Sequence, residues 1–560
     1  MTLFRTTALG NAPDSDTAAG TGTDTDAGSA KRTDADMGPS GTQQPERSGR
    51  VRRRALWPLP TLVLAGLAAV VTATLRLVAV DRSGDVFVDE LIYTELGRSA
   101  GAGGFPRTEE GLFFLHPPGF FYLQAGWTRL FGSDGDVLAQ VIDVRVLNAL
   151  LAGVTAALLV LLVARVRSRG AGVVAALVFA VDQYCVLQND RALLETETMV
   201  WVLAGYLVLL PLARDDPPGR PRARAVVAGL LFGLAILTKD HSALITLLPL
   251  LAALALNWGP PRRFVRLTLA TAVVPYAVYL GLVTVFGHLD DFWYAKTIGL
   301  QRLLGIVQET GFNAPGSPSL MGRLTAQLPE YAPTYALLAL TPLALYLLLR
   351  RKDRVHRLLA LFHASAIVTL VYAFALGTLE EQALYLLFVP NLVALAVTLP
   401  LPARHGMSLR AGVAAGLSAA FLACAIVGPA AAYAKERGRA DDGFIRLRAY
   451  VTEHLPPGTS IATVDGGTSM GVSHYALNDR YRLDHWVSEQ DRADERVEYL
   501  IVPWKVIEQG YGNTSEAEVR WLTERGRLLF SFEGEMYGTL ALYRIPLPDA
   551  ARPAPGEAGP

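Results

Sequence analysis

The sequence predicts an α-helical polytopic membrane protein with about eleven transmembrane helices, interfacial helices in its first outer loop and a small extracytoplasmic α/β domain at the C-terminus. Three observations lead there. Of 560 residues, 51% are hydrophobic and only 18% charged, and the mean hydropathy of +0.30 lies above that of soluble chains of this length. Apolar runs of roughly twenty residues, enough to cross about 30 Å of hydrocarbon, recur along the chain. Arginines gather in alternate connections between those runs. The formal net charge is zero, so bulk charge gives no ground for a nucleic-acid partner. Cys185 and Cys424 lie in separate apolar runs, where each is a small hydrophobe rather than half of a disulfide or zinc site.

Residues 1–50 form a Thr, Asp, Gly, Ala and Ser tract with few large apolar side chains. Such a composition cannot bury enough surface to offset ordering entropy, and it is expected as a disordered cytoplasmic tail. The transmembrane domain, 51–433, holds apolar runs near 56–80, 145–165, 171–188, 193–213, 223–238, 241–258, 264–286, 331–349, 357–377, 381–400 and 409–433. Basic clusters at Arg50 to Arg54, Arg165 to Arg169, Arg214 to Arg224, Arg262 to Arg266, Arg350 to Arg354 and Arg404 to Arg410 fall on one side if the N-terminus is inside. The loops near 81–144 and 287–330, and the C-terminal region, then face outward. Residues 434–548 mix the strand-like runs "TSIATV", "VEYLIVPW", "RLLFSF" and "TLALYRI" with helical stretches at 441–454 and 515–524. Residues 549–560 are a Pro/Gly-rich disordered tail.

Chemistry-bearing residues collect in the outer turns. "DVFVDELIYTELGRSA" places Asp89 and Glu90 just beyond the first span. A carboxylate at an apolar surface is suited to take a proton from a hydroxyl; the plainer alternative is a solvated pair opening a helix that Leu91, Ile92 and Leu96 lay on the bilayer. In "FFLHPPGFFYLQAGWTRLFG", the prolines stiffen the turn and the rings suit the membrane interface, which leaves His116 unexplained. "QNDRALLETETMVW" carries Asp190, Arg191 and Glu195; the i,i+4 spacing of Arg191 and Glu195 suits a simple helical ion pair, while Arg191 is also able to hold a phosphate. "LAILTKDHSALI" puts Lys239, Asp240 and His241 in a short turn, where a lysine also snorkels to headgroups. "GTLEEQALYLLFVP" adds Glu380 and Glu381, which also favour a helix N-terminus. Ionisable residues in four separate outer turns, against inner loops of little but arginine, point to a shared site at the lipid boundary.

The order "VDELIYTELG", "HPPGFFYL", "DRALLETE", "LTKD", "LEEQALYLLFVP" resembles the C-type polytopic membrane glycosyltransferases over about residues 56–400. Among them it is most similar to the protein O-mannosyltransferase and aminoarabinose transferase relatives, which use a polyprenyl-phosphate-linked sugar. The resemblance implies Asp89 as general base with Glu90 beside it in the catalytic pair, Lys239 and Arg191 as ligands of the donor phosphate, and His116, Glu195, His241, Glu380 and Glu381 as site-lining residues. It differs from the commonest pattern in carrying Asp240 and His241 after the lysine, where relatives often have glycine, and Glu195, where they often have Asp.

The implied reaction is transfer of a hexosyl or pentosyl group, with inversion, to an extracytoplasmic hydroxyl on a protein, lipid or cell-wall glycan. The expected location is the plasma membrane, facing outward, where cytoplasmic nucleotide sugars do not reach. No cofactor or metal is assigned: outer-loop carboxylates are able to bind a divalent cation, but no ligand spacing compels one. The alternative from another class is a transporter or flippase of a lipid-linked or envelope substrate. That function calls for charges and broken helices near the bilayer midplane, in inverted repeats.

Overall fold

The computed structural model describes residues 57–132, 135–217, 219–306, 319–376, 381–400, 409–466, 471–510 and 512–547. The expected terminal tails, 1–50 and 549–560, and Glu380 lie outside the described residues.

The chain opens with α1 (Leu59–Leu77). The first loop then builds α2 (Val88–Gly101), the hairpin β1 (Arg107–Thr108) and β2 (Gly111–Leu112), and α3 (Gly119–Phe131). Next come α4 (Val137–Val166), α5 (Arg169–Val181), α6 (Gln183–Asp190), α7 (Leu194–Leu209), α8 (Pro221–Thr238), α9 (Ala243–Leu256), α10 (Arg262–Ala272) and α11 (Val274–Val285). A second loop carries α12 (Leu289–Leu303), followed by α13 (Leu320–Ala339), α14 (Thr341–Arg350), α15 (Arg354–Ala375), α16 (Tyr385–Thr398) and α17 (Leu409–Arg437).

Among the described residues, nine helices are long and apolar enough to cross a membrane, and ten if the bent pair α5–α6 is one span. Two of the eleven expected runs are not among the nine. The run 171–188 bends by 66° between α5 and α6, where Asp182 ends one helix and caps the next by accepting the N–H of Cys185. The run 241–258 gives the short α9, with Pro249 inside it. A break at membrane depth strands backbone carbonyls, which must find donors within the protein. Arg76, fully buried in the last turn of α1, meets that need: its guanidinium donates to the carbonyls of Ala180 at 2.6 Å and Phe179 at 3.1 Å.

The C-terminal region contributes α18 (Gly443–His454), β3 (Ser460–Thr463), α19 (Val472–Leu477), β4 (Arg482–Asp484), α20 (Glu489–Asp494), β5 (Tyr499–Pro503), α21 (Trp504–Glu508), α22 (Glu516–Glu524), β6 (Arg527–Gly534) and β7 (Gly538–Arg544). The sheet order is β4-β3-β5-β7-β6. Its first three strands run parallel, and β7 joins β5 antiparallel with Leu500 opposite Tyr543 and Ile501 opposite Leu542. Two-sided burial explains the continuous apolar run of β5. The four strand-like runs read from the sequence become β3, β5, β6 and β7; the short, polar β4 carries no comparable pattern.

One core joins this region to the first loop: Val86, Leu91, Leu138 and Val141 pack with Phe444, Leu447, Ile461 and Leu540. Leu91 and Leu96 are fully buried, because the C-terminal region and α3 cover faces that the sequence alone would lay on lipid.

Candidate active site

Asp89 and Glu90 open α2, and their side chains do different work. Glu90 Oε2 accepts the N–H of Phe87 at 2.9 Å, closing the first turn as a capping residue does. Arg145 of α4 grips both carboxylate oxygens of Glu90 at 2.8 Å each, and the N–H of Ala192 reaches Oε1 at 2.7 Å. Glu90 therefore fixes three segments at once: the start of α2, the N-terminal part of α4, and the link between α6 and α7. The remaining N–H groups of Arg145 hold the carbonyls of Gly84 and Asp85 at 2.7 and 2.9 Å. Asp89 points elsewhere, and the Gln382 amide donates to its Oδ2 at 2.8 Å.

Arg191 occupies the break between α6 and α7, so the helical register that would pair it with Glu195 is lost. The i,i+4 ion pair is not made. Arg191 instead meets Glu381 at 3.3 Å and lies over the ring of Phe87, 4.6 Å from its centroid. Gln188 also donates to Glu381 Oε1 at 2.9 Å. Glu195, buried in the first turn of α7, takes the ammonium of Lys239, which caps the end of α8. The second oxygen of Glu195 has no hydrogen-bond partner among the described residues.

Beside Lys239, the Asp240 carboxylate holds the ammonium of Lys296 at 2.5 Å. Lys296, on α12, also donates to the carbonyl of Leu115 at 3.0 Å, next to His116. His116 lies between Tyr93 and Phe113, each ring 5.9 Å away, and its Nδ1 has no hydrogen-bond partner among the described residues. Burial first, then the charges of Lys239, His241 and Lys296, push its pKa well below the usual imidazole range despite Asp240. His116 is thus a neutral ring in a cationic setting. Because Asp89 and Tyr93 are one helical turn apart on α2, the Tyr93 ring carries contact from the Asp89 face to His116.

The structure thus gathers the predicted residues into two adjoining sets. In one, Asp89 meets Gln382, whose chain neighbour Glu381 meets Arg191 and Gln188; in the other, Glu195 meets Lys239, Asp240 meets Lys296 and His241, and His116 feels the charges of Lys239, Asp240, His241 and Lys296. Arg145, Gln188, Lys296 and Gln382 were not singled out from the sequence. Arg145 had a signal, as a lone arginine at the edge of an apolar run. Lys296 had less, one lysine on an aromatic helix of the second loop. Among the described residues, no three His, Cys, Asp or Glu side chains are placed to hold a metal ion.

Residues 115–288, which carry His116, Arg191, Glu195, Lys239 and His241, match the sequence model of the dolichyl-phosphate-mannose-protein mannosyltransferases. The fold is similar to ArnT from Cupriavidus metallidurans, solved bound to undecaprenyl phosphate, at TM-score 0.55 and 14% identity, covering 87% of this chain and 98% of that one. It is also similar to the Archaeoglobus fulgidus oligosaccharyltransferase in the apo form, at TM-score 0.56 and 13% identity over 87% of this chain and 75% of that one. The same organism's AglB, in complex with an inhibitory peptide and a dolichol-phosphate, matches at TM-score 0.52 and 13% identity over 89% and 75%. The chain thus shares the fold of ArnT and of the oligosaccharyltransferase, and residues 115–288 share the sequence pattern of the mannosyltransferase model. A search of curated protein sequences finds no match. The matched segment holds the lysine and histidine cluster, whereas Asp89, Glu90 and Glu381 come from outside it.

Proposed function

We propose that the enzyme transfers a sugar from a polyprenyl-phosphate donor to an extracytoplasmic hydroxyl, inverting the anomeric centre. The observation that carries this reading is the setting of Lys239: an ammonium at a helix end, resting on Glu195, with Lys296 and a neutral His116 beside it. Solved relatives that bind undecaprenyl phosphate and dolichol-phosphate support a donor of the same chemistry.

In the proposed reaction the acceptor oxygen attacks the anomeric carbon while Asp89 takes its proton. The bond from that carbon to the phosphate oxygen breaks, and polyprenyl phosphate leaves with the electron pair. Its charge grows by one unit, so the transition state needs cations more than a general acid. Lys239 and Arg191 supply them, assisted by Lys296. Each rests on a carboxylate in the free enzyme, and the incoming phosphate competes for it. Gln382 orients Asp89, and Glu90 positions both Asp89 and Arg191 through its grip on Arg145 and Ala192. His116, His241 and Glu381 line the sugar and phosphate.

The reading is completed by eleven spans in the plasma membrane, the N-terminus inside and the C-terminal region outside. A prenyl tail then stays in lipid while its headgroup meets a water-borne acceptor. In membranes supplied with polyprenyl-phosphate sugars, Asp89→Asn is expected to lower transfer by about 10²–10⁴-fold without loss of protein. Lys239→Ala is expected to raise the donor KM more than the acceptor KM. Full activity of Asp89→Asn refutes the base assignment.

A further inference from the structure

The two edges of the C-terminal sheet differ in length. β4, at one end, has three residues; β6, at the other, has eight and pairs with β7 alone. In an antiparallel ladder, alternate residues turn their backbone N–H and C=O away from the partner strand. Outside the β7 ladder, the backbone of residues 527–534 makes no hydrogen bond among the described residues. Long open edges recruit further strands, and folds commonly shorten, charge or cover them for that reason. Here a bulge at Leu528 to Phe530 is followed by five residues, Phe530–Gly534, in regular register with β7. α18 occupies one face of this stretch, with Tyr450 5.5 Å from the ring of Phe530 and Arg446 5.1 Å from that of Phe532. Ser531 and Glu533 are exposed.

The regular stretch ends beside the candidate site. The turn after it, Glu535 to Tyr537, is pinned to the loop that opens α2. Asp441 accepts the N–H groups of Glu535 and Met536 at 2.9 and 3.2 Å, and its own N–H donates to the carbonyl of Arg82 at 2.7 Å. Tyr537 donates its hydroxyl to the carbonyl of Val86 at 2.6 Å, three residues before Asp89. Arg191 lies within electrostatic reach of the same hydroxyl. A segment laid along Phe530–Gly534 therefore has one end against this turn, and chain continuing past that end meets the loop that carries Asp89.

A strand edge offers donors and acceptors at the spacing of an extended backbone, which a polypeptide matches and a glycan or lipid headgroup does not. A second copy of β6 is the poorer fit. Antiparallel self-pairing that sets Arg527 opposite Glu533 is centred on Phe530, so the two bulges meet inside the shared ladder and interrupt it. A peptide needs only the regular stretch beside the site. We propose that the free edge of β6 binds an extended segment of the acceptor by strand addition, which makes the acceptor a polypeptide with its reactive hydroxyl just beyond the paired segment. The assignment rests on the transferase reading above.

The test uses the full chain in lipid nanodiscs and the fluorescence anisotropy of a labelled peptide of alternating valine and threonine, about eight residues long to match the strand. N-methylation of alternate residues leaves the probe one open edge and keeps it from pairing with itself. This probe is expected to bind, and the same peptide methylated at every residue is expected to bind at least about tenfold more weakly, having lost the N–H groups of both edges. Location is read by disulfide trapping. A probe carrying one cysteine is expected to cross-link to Glu533→Cys and not to Glu453→Cys, both at exposed positions. No binding of the probe, equal binding of the fully methylated peptide, or equal trapping at both cysteines overturns the proposal. So does cross-linking of Glu533→Cys to a second copy without peptide, which makes the edge a dimer contact. The assay needs no turnover, so its failure is distinct from failure of Asp89 as the base.

Discussion

Glu90 and Asp89 are adjacent carboxylates with opposite fates, and the difference lies in what surrounds each. Glu90 is fully buried and saturated by Arg145, Phe87 and Ala192. Glu90→Ala strands the Arg145 guanidinium without a counter-charge, a change that costs about 3–5 kcal/mol. A thermal unfolding series in detergent is expected to show it, with Glu90→Gln intermediate because an amide still accepts hydrogen bonds. Asp85, one turn earlier in the same loop, accepts the N–H groups of Val86 and Phe444. Burial nonetheless raises its carboxyl from 3.8 to about 7. An acid that holds its proton more tightly when folded contributes stability that is whole below about pH 4 and lost as pH rises towards 7. Melting temperature is therefore expected to fall across that window in the parent protein and to fall less in Asp85→Asn.

Elements are held together by close approach as much as by charge. Gly119, at the start of α3, lies so near the end of α8 that a Cβ would sit 2.8 Å from the carbonyl oxygen of Leu237 and 3.1 Å from Cα of Thr238. This contact brings the His116 turn against Lys239. The obstruction is backbone and cannot rotate away, so Gly119→Ala forces α3 and α8 apart at about 1–3 kcal/mol. Transfer activity of Gly119→Ala is expected to fall more than stability does, because the shift acts where His116 meets Lys239. The bend between α5 and α6 follows similar logic. Arg76 satisfies the freed carbonyls, and Asp190 joins Arg437 at the end of α17, so the first, bent and last membrane helices share one polar tie near the site.

At the scale of the molecule, the C-terminal region is packed on the loop that opens α2 through a shared core and through the Tyr537 to Val86 hydrogen bond. Tyr537→Phe is expected to cost about 0.5–1.5 kcal/mol, read by thermal unfolding, with a loss of transfer rate because Val86 leads directly into α2. The proposed orientation has its own test. A cysteine at exposed Glu453 is expected to react with a membrane-impermeant maleimide on intact cells, and one at exposed Arg220 only after permeabilisation. The reverse pattern inverts the topology.

Apolar length determined the membrane class and put the ionisable residues in the turns between apolar runs, since crossing hydrocarbon constrains composition over stretches visible in one dimension. The strand-like runs of the C-terminal region were legible for the same local reason. Partnership was not. Arg191 and Glu195 have the spacing of an ion pair, yet a break in the helix sends them to Glu381 and Lys239. Lys296 entered the site from a segment whose local sequence carries little sign of it, and Gln382 from a motif read only for its glutamates. Glu90 and Asp89 read alike until Arg145, 55 residues away, took hold of one of them. Which charges meet depends on how helices end, bend and approach, and those are properties of packing between distant segments that only the tertiary structure decided.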